Sequence, residues 1–255
     1  MLDLIDSHSH FDVAEFDADR DAALARSRDA GVKRQILPAI AISGFDKLRA
    51  LCATEHGLFP AYGLHPLFLS EHELDHLDEL EKWIAREKPI AVGECGLDFH
   101  VTDLNAETQR TYFERQLELA REYDLPVILH ARRAVDDVTA AIRRTGQLRG
   151  VVHSFSGSPE QAQQLWKLGF HIGIGGPVTY ERAHRLRNIV ATMPLEFLLL
   201  ETDSPDQPLH GFQGKRNEPA RLVDVCETIA RLRGTAAEEI ADSTTRNCEC
   251  LFGLN

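Results

Sequence analysis

The sequence predicts an α/β chain closing as one eight-stranded (β/α)8 barrel over residues 1–255. Eight short β-rich runs recur 20 to 37 residues apart, and most are separated by segments of helical periodicity. No Gly-x-Gly-x-x-Gly follows the first run, which counts against a dinucleotide-binding open sheet.

The expected strands are Leu2–Asp6, Gln35–Ala39, Phe59–Gly63, Ile90–Glu94, Val127–His130, Gly150–His153, Phe170–Ile174 and Phe197–Glu201. Between them, Glu107–Tyr123 reads as a helix because Phe113, Leu117 and Ala120 share one face. Glu218–Leu232 reads likewise through Leu222, Val225, Ile229 and Leu232, with Asn217 as its expected N-cap and Pro219 in its first turn. Asp206–Asn217, with Pro208, Gly211 and Gly214, reads as a long loop after the eighth strand. No linker or low-complexity tract divides the chain.

Composition bounds the function. Hydrophobic residues are 43% and charged residues 27% of 255, enough apolar material for a large core, so general disorder is excluded. The net charge of −12 excludes a protein that coats nucleic acid with a broad basic face. No apolar run approaches the ~18 residues of a membrane helix. Acid at Asp3 and Asp6, where an export signal carries base, leaves a cytoplasmic protein as the expectation. Five scattered cysteines fit a reducing compartment, and Cys248 and Cys250 read as small residues of a terminal helix rather than a metal pair.

In a barrel the C-terminal strand ends converge on one face. Here they carry Asp6-Ser-His8-Ser-His10, Gly63-Leu-His65-Pro66, Gly93-Glu94-Cys-Gly-Leu-Asp98, His130, His153 and Glu201-Thr-Asp203-Ser-Pro205. His8 and His10 are two apart, so on extended chain both rings point to one side. One strand-end histidine is ordinarily just a hydrogen-bonded or surface residue. Four histidines and two acids at five strand ends are different, because buried charge is costly unless paired or metal-bound. Imidazole and carboxylate together suit a divalent cation with N/O ligands. His72 and His76, four apart in the acidic stretch Ser70–Arg86, could bind metal too, but a solvated helical face is the expectation there.

These residues also carry a family resemblance. The chain resembles the TatD-like metal-dependent hydrolases of the wider amidohydrolase group. The matching motifs are Asp6-Ser-His-Ser-His10, Gly63-Leu-His-Pro66, Gly93-Glu-Cys-Gly-Leu-Asp98, His130-Ala-Arg132, His153-Ser-Phe-Ser-Gly157, Glu201-Thr-Asp-Ser-Pro205 and Arg216-Asn-Glu-Pro219. They run through nearly the whole chain. The resemblance implies two divalent metal ions (Mg, Mn or Zn), one on His8, His10, Glu94 and Asp203 and the other on Glu94, His130 and His153, with Glu94 bridging. It also implies deoxyribonuclease activity, in some members from 3′ ends. The chain departs from the family's frequent aromatics at Asp206-Gln207 and Phe99-His100, positions that bear on substrate preference.

The expected chemistry is metal-assisted phosphodiester hydrolysis of single-stranded or 3′ ends. Glu94 and Asp203 are the candidate catalytic carboxylates, Asp203 as ligand and as acceptor of the attacking water's proton. His65 and Glu201 either orient substrate and water or support the ligands by hydrogen bonds, and Asp98 is expected in a supporting role. Arg132, and Arg216 with Asn217 after the eighth strand, are candidate phosphate contacts, helix capping being the other reading of Arg216-Asn217. Two alternatives remain: hydrolysis of another ester, amide or lactone, and metal binding without turnover. Strands four and five lack the lysine with which many amidohydrolase-group members that cleave amides, lactones or phosphotriesters bridge their metals, which favours the nuclease branch.

Overall fold

A computed structural model describes residues 2–254; Met1 and Asn255, the limits of the expected domain, lie outside the described residues. Strand β1 (Leu4–Asp6) leads to α1 (Arg20–Ala30), β2 (Val32–Pro38), α2 (Phe45–Thr54), β3 (Leu58–Ala61) and α3 (His76–Glu87). Then come β4 (Val92–Asp98), α4 (Ala106–Glu122), β5 (Val127–Arg132), α5 (Val135–Thr145), β6 (Gly150–Val152) and α6 (Pro159–Lys167). β7 (His171–Ile174), α7 (His184–Thr192), β8 (Leu198–Leu200), α8 (Leu222–Arg233) and α9 (Ala237–Phe252) complete the chain.

All strand pairs are parallel, β1-β2-β3 in one run and β4 through β8 in another. Single contacts join the runs into the expected barrel. Tyr62 bridges to Val92, and Gly93 N–H donates to Tyr62 O at 2.9 Å. On the far side Ser7 N–H donates to Leu200 O at 2.9 Å.

Side chains alternate between two apolar layers, as strand geometry requires. Ile5, Ile36, Ala61, Ile128, Val151 and Leu199 fill the ring, closed below by Leu251, Phe252 and Leu254. The other face, with Leu4, Leu37, Leu129, Val152 and Leu200, packs against the helices. Local signals mark the helix ends. Asn105 accepts from Thr108 N–H ahead of α4, and Ser158 with Gln161 forms a reciprocal cap on α6, with Pro159 in its first turn. α1 stops at Gly31, whose φ of 99° a side chain would resist.

Three expectations are corrected. β4 continues past Glu94 to Asp98, because Gly96, Leu97 and Asp98 pair with His130, Ala131 and Arg132, so Glu94 lies within its strand. Asn217 does not cap α8, which begins only at Leu222 after a tight turn at Pro219–Arg221. His72 is not on a solvated face: it is buried, its Nε2 3.0 Å from His65 O, and α3 starts only at His76.

Candidate metal centre

Two buried glutamines of α4 hold the segments that present the site. Gln116 accepts from Leu64 N–H at 2.7 Å and donates to Leu64 O at 3.2 Å, fixing the chain just before His65. Gln109 does the same at Asp98, at 2.7 and 2.9 Å. Sequence reasoning missed both; the available signal was two glutamines seven apart on an otherwise apolar helical face. Asp6 ties the first strand to the last. It accepts from Thr202 N–H at 2.9 Å, Thr202 O–H at 2.5 Å and His8 N–H at 3.3 Å. Burial lifts its carboxyl to about 7 against those bonds.

Glu94 is fully buried at the centre. Its Oε2 lies 3.0 Å from His8 Nε2 and 3.4 Å from His10 Nε2. Its Oε1 lies 2.9 Å from His130 Nδ1, 2.7 Å from His153 Nε2 and 2.9 Å from His65 Nε2. Asp203 Oδ1 is 3.6 Å from His8 Nε2 and 3.7 Å from His10 Nε2. Burial disfavours a charged Glu94, but His153, His65, His8 and the hydrogen bond with His10 outweigh it and hold the carboxyl well below its usual range. For His153, burial is overcome by Glu94, Asp203 and Glu201, which push the imidazole up to about 10. For His8, burial and the charge of His153 prevail and the ring is held well below 6.5.

Hydrogen bonds set which nitrogen each ring turns inward. His130 Nε2 is 2.9 Å from Asp98 Oδ2, and His10 Nδ1 is 3.2 Å from Pro38 O. Both partners are acceptors, so these nitrogens carry the hydrogen, and in the neutral rings the inward nitrogens carry lone pairs. Those inward nitrogens meet other ring nitrogens, His10 Nε2 to His8 Nε2 at 3.3 Å and His130 Nδ1 to His153 Nε2 at 3.2 Å. Lone pairs and carboxylate oxygens converging at such distances are a donor set that fits a divalent cation. The groups His8–His10–Glu94, His65–Glu94–His130 and His8–His153–Glu201 each bring three ligand atoms within 4.8 Å of one another.

His65 differs from the rest. Its Nδ1 accepts from Leu67 N–H at 3.0 Å, so Nε2 must carry the hydrogen and donate it to Glu94. Burial lowers its imidazole to about 4, despite Glu94, and the ring stays neutral. Glu201 is buried, accepts from Ser154 N–H at 2.5 Å and approaches His153 Nδ1 at 3.8 Å. Burial raises its carboxyl to about 8. Its carboxylate lies against Gly173, where any Cβ would collide with it. Gln207, read from sequence only as a departure from an aromatic, donates to Asp203 Oδ2 at 2.5 Å and to Ser154 Oγ at 2.6 Å.

His10, His65, Glu94, His130, His153, Asp203 and Arg132 line one cleft of about 900 Å³. Arg216 and Asn217 are not among its lining residues. Arg216 pairs with Asp19 at 2.7 and 2.9 Å and stacks 4.4 Å from the Phe16 ring centre. Asn217 is fully buried, donating to Thr202 O at 3.0 Å and Gln207 O at 3.3 Å. The structure thus gives both residues partners within the chain, Arg216 also donating to Glu15 O at 2.7 Å.

Comparison with known proteins follows the same geometry. The sequence model described as TatD related DNase matches residues 5–253. The chain belongs to the TatD-related DNase family. It is 43% identical over 253 residues to YjjV of Escherichia coli K12, named an uncharacterized metal-dependent hydrolase, covering 98% of each chain. The crystal structure of that TatD homologue superposes with a TM-score of 0.95 at 42% identity, covering 99% of this chain and 98% of the other. YabD of Bacillus subtilis 168, named in the same way, is 36% identical over 262 residues, covering 99% of this chain and all of the relative. A Danio rerio TatD relative, tatdn3, named as a candidate deoxyribonuclease, is 32% identical over 261 residues, covering 97% of this chain and 96% of the relative. The protein is thus a metal-dependent hydrolase of the TatD family on an α/β barrel. No helix among the described residues is long and apolar enough to cross a membrane.

Proposed function

We propose that the protein is a deoxyribonuclease that hydrolyses phosphodiester bonds at single-stranded or 3′ ends with two divalent cations (Mg, Mn or Zn). One observation carries the reading. The two oxygens of Glu94 face two different histidine pairs, Oε2 toward His8 and His10 and Oε1 toward His130 and His153. That supports one cation on His8, His10, Glu94 and Asp203 and a second on Glu94, His130 and His153. The family's description and the name of tatdn3 support DNA as the substrate class. Free thiols at Cys52, Cys95, Cys226, Cys248 and Cys250 support a reducing, cytoplasmic setting, and one family match over residues 5–253 supports reading 1–255 as one working unit.

When bound, such cations supply Lewis acidity to a phosphoryl oxygen and acidify water. The chain's own residues do the rest. Asp203 takes the proton of the attacking water on Oδ1, while Gln207 holds Oδ2. In the metal-free chain, burial, only partly offset by His153 and His10, raises the Asp203 carboxyl. His65 keeps Glu94 in place through Nε2–H, and Glu201 steadies Ser154 and His153. Arg132, exposed at the end of β5, offers its guanidinium to the substrate phosphate.

The test is metal-dependent release of nucleotides from end-labelled DNA and RNA, single- and double-stranded. His153→Ala and Asp203→Ala each abolish it; wild-type activity in either purified variant refutes the assignment.

A further inference from the structure

Beside the metal cleft lies a second cavity of about 360 Å³, built from the segments that follow β6 and β7. The two share Ser154, Ser156, Pro177 and Gln207, so Gln207 stands in the partition, bound to Ser154 on one side and to Asp203 on the other.

The walls of this side cavity are apolar, formed by Phe155, Ile174, Pro177 and Leu186. Gly173 and Gly175 also line it, and neither can gain a side chain without striking Glu201. Its rim carries Arg182, His184 and Arg185. No lining residue is acidic, in a chain of net charge −12 and next to a cleft lined by Glu15, Glu94, Asp203 and Asp206. Arg185 is set in place by donating to Ser156 O at 2.8 Å, and the Arg182 guanidinium sits 5.2 Å from the Tyr180 ring centre.

An apolar slot with cationic edges, opening onto a phosphoryl-transfer site, suits a flat heterocycle attached to phosphate. We propose that this cavity is a nucleobase subsite. It receives the base of one nucleotide flanking the scissile phosphodiester, with Arg182 and Arg185 on the phosphate next along the strand. The inference rests on the nuclease reading above and deepens it. Apolar walls without a ring of buried donors and acceptors imply weak discrimination among the four bases, since stacking accepts any of them.

The experiment compares a short single-stranded oligodeoxynucleotide with two versions carrying a tetrahydrofuran abasic residue, one at the last position and one at the penultimate position. Cleavage of the terminal phosphodiester is followed as kcat and KM. One of the two abasic substrates is cleaved with kcat/KM lower by roughly tenfold, the size of one stacked base, mostly through KM. Leu186→Trp, which fills the slot, brings the ratio of intact to abasic kcat/KM to about one. Circular dichroism checks its fold, and the wild-type ratio stands as a test even if the variant does not fold. Equal cleavage of intact and both abasic substrates by the wild type overturns the subsite while leaving the nuclease reading standing. A protein that cleaves no oligonucleotide overturns both.

Discussion

Asp98 Oδ2 accepts a hydrogen bond from His130 Nε2 at 2.9 Å, and this single contact decides which nitrogen of His130 faces Glu94. Backbone N–H groups of His100 and Val101 hold the other oxygen of Asp98 at 2.8 and 3.2 Å. Burial would raise the Asp98 carboxyl, but His130 and those donors bring it down to about 2. Asp98→Asn removes the charge and frees the ring to turn or change tautomer. Metal affinity by calorimetric titration falls by about 10- to 100-fold. An Asp98→Asn variant that binds metal like the wild type would show that the contact is ornamental.

Metal removal gives the second prediction. If the converging nitrogens and oxygens around Glu94 hold cations only in the folded chain, binding stabilises it. Adding magnesium or manganese at a hundred times Kd after chelation raises Tm by roughly 5–10 °C. A melting curve indifferent to chelator and cation alike counts against the site.

Gly173 supplies the third. A Cβ there runs into the Glu201 carboxylate, itself wedged in a buried space and bonded to Ser154 N–H. Gly173→Ala costs about 1–3 kcal/mol in urea unfolding, the range of an overpacked core. It also lowers turnover, because Glu201 no longer steadies Ser154 and His153. A variant with unaltered stability would mean the strand yields locally.

Stability against pH gives the fourth. His171 opens β7, far from the metal centre along the strand, with its ring 5.9 Å from that of Phe197. Burial lowers its imidazole below 6.5, against the opposing effect of backbone groups at Gly150 and Glu196. The unfolded chain therefore binds this proton more tightly than the folded one. Stability falls as pH drops below about 6.5 and levels off once the folded ring is also protonated; above that window His171 has no effect. In His171→Phe the loss of Tm between pH 7 and pH 5 is smaller than in the wild type. An identical loss assigns the acid sensitivity elsewhere.

The order of the strands and the convergence at their ends were legible in the sequence because both rest on local signals. Alternation, spacing and His-x-His can be read within a few residues. The supports of the site were not, because each polar group's partner lies far away in the chain. Gln116 meets Leu64 across 52 positions and Asp6 meets Thr202 across 196. Asn217 resembled a helix cap by its neighbours alone; two distant carbonyls, Thr202 O and Gln207 O, claim it instead. His72 had the spacing of a surface pair with His76, but a carbonyl at His65 draws it inward. Gln207 had no pattern to announce it, since one amide between Asp203 and Ser154 is visible only once the segments after β6 and β8 lie side by side.

The seam between first and last strands has a consequence for how the protein is made. Asp203 N–H donates to His8 O at 2.9 Å and His10 N–H to Ser204 O at 2.8 Å, so the two ends of the proposed ligand set hold each other in place. A ribosome delivers His8 and His10 about 190 residues before Asp203. Until then the nascent chain offers two histidines beside β2 but without the eighth strand and its Asp203. Cation loading therefore belongs to the finished barrel, after release of the eighth strand from the exit tunnel.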